Sequence, residues 1–304
     1  MKKSLRRKLI MSAIAVGAAA VGTTASTYAW FVTNSTVSST VSGSVQASGA
    51  SLFISADGNS FGTKPVVPSA DFSNLKMAPL QMKSADKKLY DLNDTEKTAN
   101  VDYMSFSLYF SVQNLETAAN DYKIVLKTTA KDKDSAKSKT HEAQTSINAS
   151  SPYSAIAQGA SLWDNVLKSM NVAISQEYSA TKTFGSSATT AYYAVNKSEA
   201  IYDGLAYYNK ITGNSKAETG TQAVEQTALT TTALETSSNV SQQSVIEAQG
   251  NIDVISNVTG NGYYKLDFKI WLDGWDKACF DAIASHEFDL GLTFELASTP
   301  KNQA

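Results

Sequence analysis

The sequence is poor in the residues from which disulfide-stapled domains and most active sites are built. Cys279 is the only cysteine, so no intramolecular disulfide can form, and the disulfide-stapled class common among eukaryotic secreted domains is excluded. The only two histidines, His141 and His286, each adjoin a glutamate, but neither lies in an H-E-x-x-H zinc motif. The chain also lacks a P-loop, a dinucleotide fingerprint and a G-x-S-x-G motif. We therefore expect a protein that is not an enzyme and that holds no cofactor.

Two weaker chemical patterns occur, and both lack the companions that their chemistry needs. Ser73–Lys76 and Ser179–Lys182 match the S-x-x-K pattern of penicillin-recognising enzymes, but the S-D-N and K-T-G elements are missing. Asp273, Asp276 and Asp281 offer carboxylates near one predicted turn, but their spacing is not that of a calcium loop. We interpret the first pattern as chance in a serine-rich chain and expect no metal at the second.

The first 29 residues have the organisation of a secretory signal peptide. Five basic residues and no acidic one accompany an apolar run over residues 9–21. This run is too short and too rich in glycine and alanine for a comfortable membrane span. Thr27 and Ala29 are the small residues that a signal peptidase requires at positions −3 and −1. The sequence predicts cleavage between Ala29 and Trp30 by a signal peptidase, with an uncleaved N-terminal anchor as the alternative.

Loss of the signal peptide makes the chain clearly acidic. Residues 1–29 carry five of the 26 basic residues and none of the 28 acidic ones, so the mature chain has a net charge of −7. An acidic protein is repelled by nucleic acid and by anionic lipid surfaces, and we expect neither as a partner. Export without disulfides is typical of a Gram-positive bacterium, so we expect a secreted protein of the extracellular space or cell surface.

Alternation of apolar and polar residues predicts an all-β fold. In Met104–Val112 every second residue is apolar and the residues between are serine or tyrosine, as in a strand with one face in the core and one in water. Tyr122–Lys127 alternates in the same way and is predicted to be its partner. The same period occurs over residues 37–47, 51–56, 266–272 and 288–296. Together these strands predict one domain over residues 30–304, an antiparallel β-sandwich of jelly-roll or immunoglobulin-like type.

Two long polar segments and a few short helices complete the expected organisation. Residues 129–160 are rich in lysine, serine and alanine and are interpreted as a solvated insertion. Residues 213–250 contain no aromatic residue and are either a flexible insertion or a polar helical hairpin. The apolar spacing over residues 162–170 predicts a short helix with Ser161 as its cap, followed by a strand over residues 171–176.

Aromatic residues near the end of the chain offer an alternative function. Trp271 and Trp275 flank a predicted turn and form a candidate ligand platform, because flat aromatic faces suit the pyranose rings of a glycan. Aromatic residues are also favoured in strands, and an adjacent tyrosine pair places one ring on each face of a sheet. Such pairs occur at residues 192–193, 207–208 and 263–264.

The chain resembles the TasA/camelysin group at its predicted cleavage junction. Residues 27–31 read Thr-Tyr-Ala-Trp-Phe, and a strand of serine, threonine and valine follows. The resemblance is specific over residues 1–56 and weaker over residues 270–294. Members of that group are exported Gram-positive proteins processed by a dedicated signal peptidase. The resemblance implies a jelly-roll subunit of an extracellular fibre in a biofilm matrix, in which an N-terminal segment adds a strand to the next subunit.

The residues themselves offer a physical counterpart to strand donation. Residues 30–47 are uncharged and apolar on one parity, and cleavage would free their start. Such a segment can complete a neighbouring sheet through main-chain hydrogen bonds, while alternate side chains fill grooves. The candidate donor residues are Trp30, Phe31, Val37, Val41 and Val45. We predict a self-assembling structural subunit; pairing of the segment within its own sandwich, and an adhesin or carbohydrate-binding role, are the alternatives.

Overall fold

The structure is a computed structural model that describes residues 33–34, 39–45, 50–63, 66–72, 75–83, 86–91, 93–132, 140–142, 157–159, 161–163, 169–185, 189–194, 226–228, 246–274 and 288–301. The predicted signal peptide, residues 1–29, lies outside these ranges. The described residues form sixteen β-strands and no helix, which confirms the all-β class. The strands are β1 (Thr33–Asn34), β2 (Ser39–Val45), β3 (Ser51–Ser55), β4 (Lys76–Met77), β5 (Pro79–Met82), β6 (Leu89–Tyr90), β7 (Met104–Gln113), β8 (Asn120–Asp132), β9 (Thr140–Glu142), β10 (Ser161–Trp163), β11 (Met170–Ser179), β12 (Thr189–Ala194), β13 (Gln226–Ala228), β14 (Ile246–Ile255), β15 (Gly262–Asp273) and β16 (Phe288–Pro300).

The smaller of the two main sheets, the small sheet, has four strands in the order β14–β8–β16–β2. β8 and β16 pair antiparallel along their whole length, from Asn120 opposite Pro300 to Asp132 opposite Phe288. β14 flanks β8 in antiparallel orientation, and β2 flanks β16 in parallel orientation. The last strand of the chain is therefore an interior strand of this sheet.

The larger of the two, the large sheet, has eight strands and is centred on β15. On one side of β15 the order continues through β11, β12 and β13. On the other side, β7 pairs antiparallel with residues 262–270, and β5 pairs in parallel with residues 272–273. β3 extends the sheet beyond β7, and β6 extends it beyond β5. The short pairs β1–β4 and β9–β10 belong to neither main sheet.

The two main sheets face each other across one apolar core. The Phe294 ring of the small sheet lies 4.7 Å from the Phe110 ring and 6.3 Å from the Phe268 ring of the large sheet, centroid to centroid. Phe268 stacks on Phe106 at 4.9 Å. All four rings are buried. The arrangement is sandwich-like, and it follows from the alternation of the strands, which sends every second side chain inward.

β3 confirms the strand predicted over residues 51–56, and the chain turns just after it. Gly58 has a φ of 75° at this turn, a conformation that favours glycine. The Asp57 carboxylate accepts hydrogen bonds from the backbone N–H groups of Asn59 at 2.8 Å and Ser60 at 3.0 Å. These bonds lower the pKa of Asp57 to about 2, so the turn is held by an ionised carboxylate.

Three strand pairs correct the expectation of a purely antiparallel sandwich. β12 with β13, β15 with β5, and β16 with β2 are parallel. Parallel neighbours need long connections, and β2 and β16 meet this condition because they lie near opposite ends of the sequence. Alternation has the same period in both orientations, so the sequence pattern carries no signal for the choice.

The predicted pairing of Tyr122–Lys127 with Met104–Val112 is wrong. Both segments are strands, but β7 lies in the large sheet and β8 in the small sheet, where it pairs with β14 and β16. Two successive strands that each bury one face can pair side by side or face each other across a core. β15 and β16 repeat this situation, since they are successive among the strands of the described residues and lie in different sheets.

The short helix predicted over residues 162–170 is wrong where the structure describes it. Ser161–Trp163 form β10 and Met170 begins β11, while residues 164–168 lie outside the described residues. Met170 pairs with Leu272 of β15. Pairing with a central strand therefore overrides the local apolar spacing, which is a weak preference by comparison.

Parts of the two polar segments also form strands. β8 runs on to Asp132, and β9 lies within residues 129–160. β13 and the first half of β14 lie within residues 213–250, where the helical hairpin was one of the two expectations. β14 pairs with β8 from Ile246 onward. Parts of the two polar segments therefore form strands of the sheets.

Candidate functional site

The segment predicted to donate a strand forms β2 and lies at one edge of the small sheet. Its register with β16 runs from Ser39 opposite Leu290 to Val45 opposite Leu296. Among the residues that the structure describes, β16 is the only strand with which β2 pairs in this sheet. The backbone of β2 is thus held on one side, through the main-chain hydrogen bonds of a parallel pair.

The side chains of β16, the strand that pairs with β2, are held on both faces of the small sheet. Leu292, Phe294 and Leu296 of β16 are buried in the common core. On the opposite face, Glu295 is also buried and forms an ion pair with Lys127 of the neighbouring strand β8. β16 therefore presents a preformed edge to β2, with its side chains already fixed on both faces.

The structure places only part of the predicted donor set. Val41 and Val45 lie in β2, in register with Leu292 and Leu296, which both face the core. Ala29, Trp30, Phe31 and Val37 lie outside the described residues. Between them, β1 pairs antiparallel with β4, so a second short contact ties the N-terminal region to the same chain.

The alternative platform is not presented to a ligand at Trp271. This side chain is 0% exposed and is packed in a second apolar cluster with Leu80, Met82 and Leu89 from the pair β5–β6. Its indole Nε1 makes no hydrogen bond to any residue within the described ranges. Trp275 lies outside those ranges. The face of Trp271 is covered by protein, so a sugar ring cannot stack on it in this structure.

Polar groups near Trp271 hold the end of β15 in place. Asn171 Nδ2 donates a hydrogen bond to Asp273 Oδ2 at 3.0 Å, and both residues are buried. The backbone N–H of Asp273 donates to the carbonyl oxygen of Ser169 at 2.6 Å. Buried polar groups are retained when they are paired in this way, and this region is best explained as a structural junction of the large sheet.

The tyrosine pairs behave as the sequence predicts. Tyr264 is buried in the core and Tyr263, its neighbour, is only partly buried on the other face; Tyr193 and Tyr192 divide in the same way. Burial raises the pKa of Tyr264 to about 12. The third pair, residues 207–208, lies outside the described residues.

One arrangement escaped the sequence reasoning. Phe61, Lys182 and Tyr263 meet on the outer side of the large sheet, with the Lys182 Nζ 4.9 Å from the Phe61 ring centroid and 5.0 Å from that of Tyr263. These residues are far apart in the sequence, so no local pattern connects them. In the S-x-x-K match at residues 179–182, Ser179 has a structural role: its Oγ accepts the Thr183 N–H at 3.0 Å in the turn that carries Lys182.

Neither the metal-ligating side chains of the described residues nor the comparisons with known proteins add an assignment. Within the described ranges, we found no grouping of three or more histidine, cysteine, aspartate or glutamate side chains suited to a metal ion. None of the described residues belongs to a helix with the length and apolar character that crossing a membrane requires. No protein-family model, no curated protein and no solved structure matches the chain.

Proposed function

We propose that the protein is a secreted structural subunit that assembles into an extracellular fibre or biofilm matrix by N-terminal strand donation. The observation that carries this proposal is the parallel pairing of β2 on the edge of β16. In the assembly, β2 of one subunit occupies the same edge of β16 in the next. The result is a homopolymer whose contacts repeat those of the closed chain.

Strand exchange of this kind costs little energy, because the exchanged strand makes in the neighbouring subunit the same contacts that it makes in its own subunit. β2 suits the exchange for two reasons. It lies at a sheet edge, so its departure breaks one ladder of hydrogen bonds. Only residues 46–50 separate it from β3, which belongs to the other sheet. A head-to-tail exchange that does not close on itself gives a filament.

We also propose that the sandwich is of jelly-roll type. The chain pairs from its two ends inward: β2 with β16, β7 with β15, and β8 with β14. These pairs alternate between the small and the large sheet. This is the wrapping expected of a jelly roll, and it puts β2 and β16 side by side, as strand donation requires.

Export and cleavage are part of the proposal. A signal peptidase cuts between Ala29 and Trp30, and the new N-terminus precedes β1 and β2 directly. The protein then works outside a Gram-positive cell without enzymatic activity. The resemblance of residues 27–31 to the TasA/camelysin junction supports this, as does the uncharged sequence of residues 30–47. The adhesin alternative centred on Trp271 and Trp275 is not favoured, because Trp271 is buried.

Disulfide trapping tests the exchange directly. Ser42 and Thr293 are register partners in β2 and β16, and neighbouring strands lie about 4.8 Å apart, within the range that a disulfide spans. In a Cys279→Ser background, the double variant Ser42→Cys/Thr293→Cys is assembled and then oxidised. We expect a ladder of covalent multimers on a non-reducing gel. Monomers carrying only internal cross-links would contradict the proposal.

Two controls complete this test. The pair Ser175→Cys/Thr190→Cys joins β11 to β12, where the two hydroxyls lie 2.8 Å apart, and it should give cross-linked monomers only. Deletion of residues 30–45 should leave a folded monomer that does not polymerise. Fibres of normal length from the deleted chain, seen by negative-stain microscopy, would show that strand donation is not the mechanism.

A further inference from the structure

Two loops that follow different strands of the large sheet meet across its outer side. Residues 56–62, the β3 loop, follow β3, and residues 180–185, the β11 loop, follow β11. β3 and β11 are not neighbours in the sheet, because β7 and β15 lie between them. A contact between the two loops therefore spans two strands and ties β3 to the far side of the sheet.

Both loops contact the same tyrosine of β15. The Phe61 ring of the β3 loop lies 5.5 Å from the Tyr263 ring, centroid to centroid. Lys182 of the β11 loop places its Nζ 5.0 Å from the Tyr263 centroid and 4.9 Å from that of Phe61. An ammonium group at this distance is attracted to the face of an aromatic ring. The two loops thus touch each other as well as the strand beneath them.

Both loops also contact the same tyrosine of β7. The Phe184 ring of the β11 loop lies 5.6 Å from the Tyr109 ring. Gly58 of the β3 loop packs so closely on this ring that a Cβ at Gly58 would lie 3.2 Å from Tyr109 Cδ1. The residues that join the two loops over the sheet are called the clasp, namely Gly58, Phe61, Tyr109, Lys182, Phe184 and Tyr263.

Each loop is in turn fastened to the strand that it follows. Ile54 of β3 and Gly62 exchange two backbone hydrogen bonds, at 2.8 Å and 3.0 Å. In the β11 loop, the backbone N–H of Gly185 donates to Glu177 Oε2 at 2.7 Å. Ser179 Oγ accepts two further backbone N–H groups of the same loop, at 3.2 Å and 3.0 Å. The clasp therefore acts on β3 and β11 and not on loose loop residues alone.

β2 and β3 differ in what holds them. Within the described ranges, β16 is the only strand that pairs with β2. β3 pairs with β7 and is held by the clasp in addition. Only residues 46–50 join the two strands. Local opening of a protein begins where the fewest contacts hold the chain, so β2 should open more readily than β3.

We propose that the clasp stops the opening of the N-terminal strands between β2 and β3. β2 then leaves its edge while β3 stays on β7. In the strand donation proposed above, on which this consequence rests, the clasp limits the exchanged segment at its C-terminal end. The limit matters because Leu52 and Ile54 of β3 are buried in the common core, and exchange of β3 would expose them.

Hydrogen exchange of the full chain as a monomer, followed by mass spectrometry, tests the clasp without any assembly. In the natural chain, the amides of residues 39–45 should exchange faster than those of residues 51–55. In the variant Phe61→Ala/Lys182→Asn, residues 51–55 should exchange roughly tenfold faster, because two cation–π contacts and a ring pair are lost. Asparagine is chosen because it tolerates the positive φ of Lys182.

The matched control removes a similar contact from the pair β5–β6. Lys83 Nζ lies 4.0 Å from the centroid of the Tyr90 ring, and Lys83→Asn/Tyr90→Ala removes the ammonium group and the ring together. Exchange at residues 51–55 should then stay within about twofold of the natural chain. Unchanged exchange at β3 in the clasp variant would overturn the proposal. A uniform rise over all strands would overturn it too, since the clasp would then support the whole fold alike.

Disulfide trapping at β3 tests the consequence for assembly. Ser51 and Gln113 are register partners in β3 and β7. In a Cys279→Ser background, Ser51→Cys/Gln113→Cys should give cross-linked monomers only after assembly and oxidation. Addition of Phe61→Ala/Lys182→Asn should give covalent multimers.

Multimers from Ser51→Cys/Gln113→Cys with the clasp intact would contradict the proposal, because β3 would then exchange in spite of the clasp. Monomers from both proteins would contradict it as well, provided that Ser42→Cys/Thr293→Cys gives its ladder. If that ladder is absent, strand donation itself has failed, and hydrogen exchange of the monomer alone decides whether the clasp holds β3. The two proposals therefore fail separately.

Discussion

The two ends of β15 present aromatic side chains on the same face of the large sheet, but one is buried and the other is partly exposed. Trp271 is 0% exposed because side chains of β5 and β6 cover it. Tyr263 stays accessible because the loop at residues 179–185 packs beside it and leaves its ring partly open. Strand parity decides which face a residue occupies. Chain segments far away in the sequence decide whether that face is covered.

The difference has an energetic meaning. At the Trp271 end, apolar burial stabilises the fold by about 25 cal/mol per Å² removed from water. At the Tyr263 end, the aromatic side chain is only partly buried, and the backbone at Lys182 has a positive φ. The Trp271 end of this face therefore contributes more to the stability of the fold than the Tyr263 end.

The largest effect is expected from replacing the side chains of Trp271 and Tyr263, because this tests directly whether the two ends of β15 contribute differently to stability. Trp271→Ala opens a large cavity in the second cluster and should lower the free energy of unfolding by about 3–5 kcal/mol. Tyr263→Ala removes a partly exposed ring and should cost about 1 kcal/mol. Urea unfolding measures both. The variant Trp271→Phe should cost much less than Trp271→Ala, since it keeps most of the apolar volume and removes a buried N–H that has no partner within the described ranges. Equal losses at both ends would contradict the assignment of roles.

Unfolding at alkaline pH should reveal the buried phenol of Tyr264. The pKa of Tyr264 is raised to about 12 by burial, against an ordinary value of 10.0. Between these pH values the unfolded chain loses this proton and the folded chain keeps it. The free energy of unfolding is therefore unaffected by Tyr264 below pH 10. As the pH rises from 10 to 12, it falls by roughly 2 kcal/mol. Unfolding curves between pH 9 and 12 measure this.

The control for the alkaline effect is a pair of conservative variants. Tyr264→Phe should flatten the decline by removing the buried phenol. Tyr263→Phe should leave the decline as it is. A decline that is equally steep in all three proteins would mean that Tyr264 does not cause it.

The smallest expected effect concerns the backbone of Lys182. Lys182→Gly and Lys182→Ala both remove the contacts with Phe61 and Tyr263, but glycine adopts the φ of 65° without strain. The glycine variant should therefore be about 1 kcal/mol more stable than the alanine variant. Thermal unfolding of the two measures the difference. Equal stability would show that the loop relaxes and that the lysine is not held under strain.

The strands were predictable where apolar and polar residues alternate strictly. Met104–Val112 and the segment over residues 288–296 alternate strictly, and both are strands in the structure. Their partners were not predictable, because alternation reports a buried face and says nothing about the neighbour. At Ser161–Trp163 and Met170 the local pattern was misleading. Its helical spacing predicted a helix, but these residues pair as strands with β9 and β15.

The candidate functional surfaces were also predictable only in part. The sequence singled out residues 37–47 as an uncharged strand, and β2 lies within them. It did not reveal the cluster of Phe61, Lys182 and Tyr263, which is made by the contact of three segments from different parts of the chain. The sequence offered Trp271 as part of a ligand platform, but its side chain is buried by Leu80 and Met82, about 190 residues earlier in the sequence.

The position of β16 has a consequence for how the molecule acquires its fold. β16 is the last strand of the chain and yet an interior strand of the small sheet, with β8 on one side and β2 on the other. Until residues 288–300 have been synthesised, neither of those strands has this partner. Contacts between such distant segments slow folding. The small sheet should therefore be completed late, after residues 288–300 have been made, because β8 and β2 are joined only through β16.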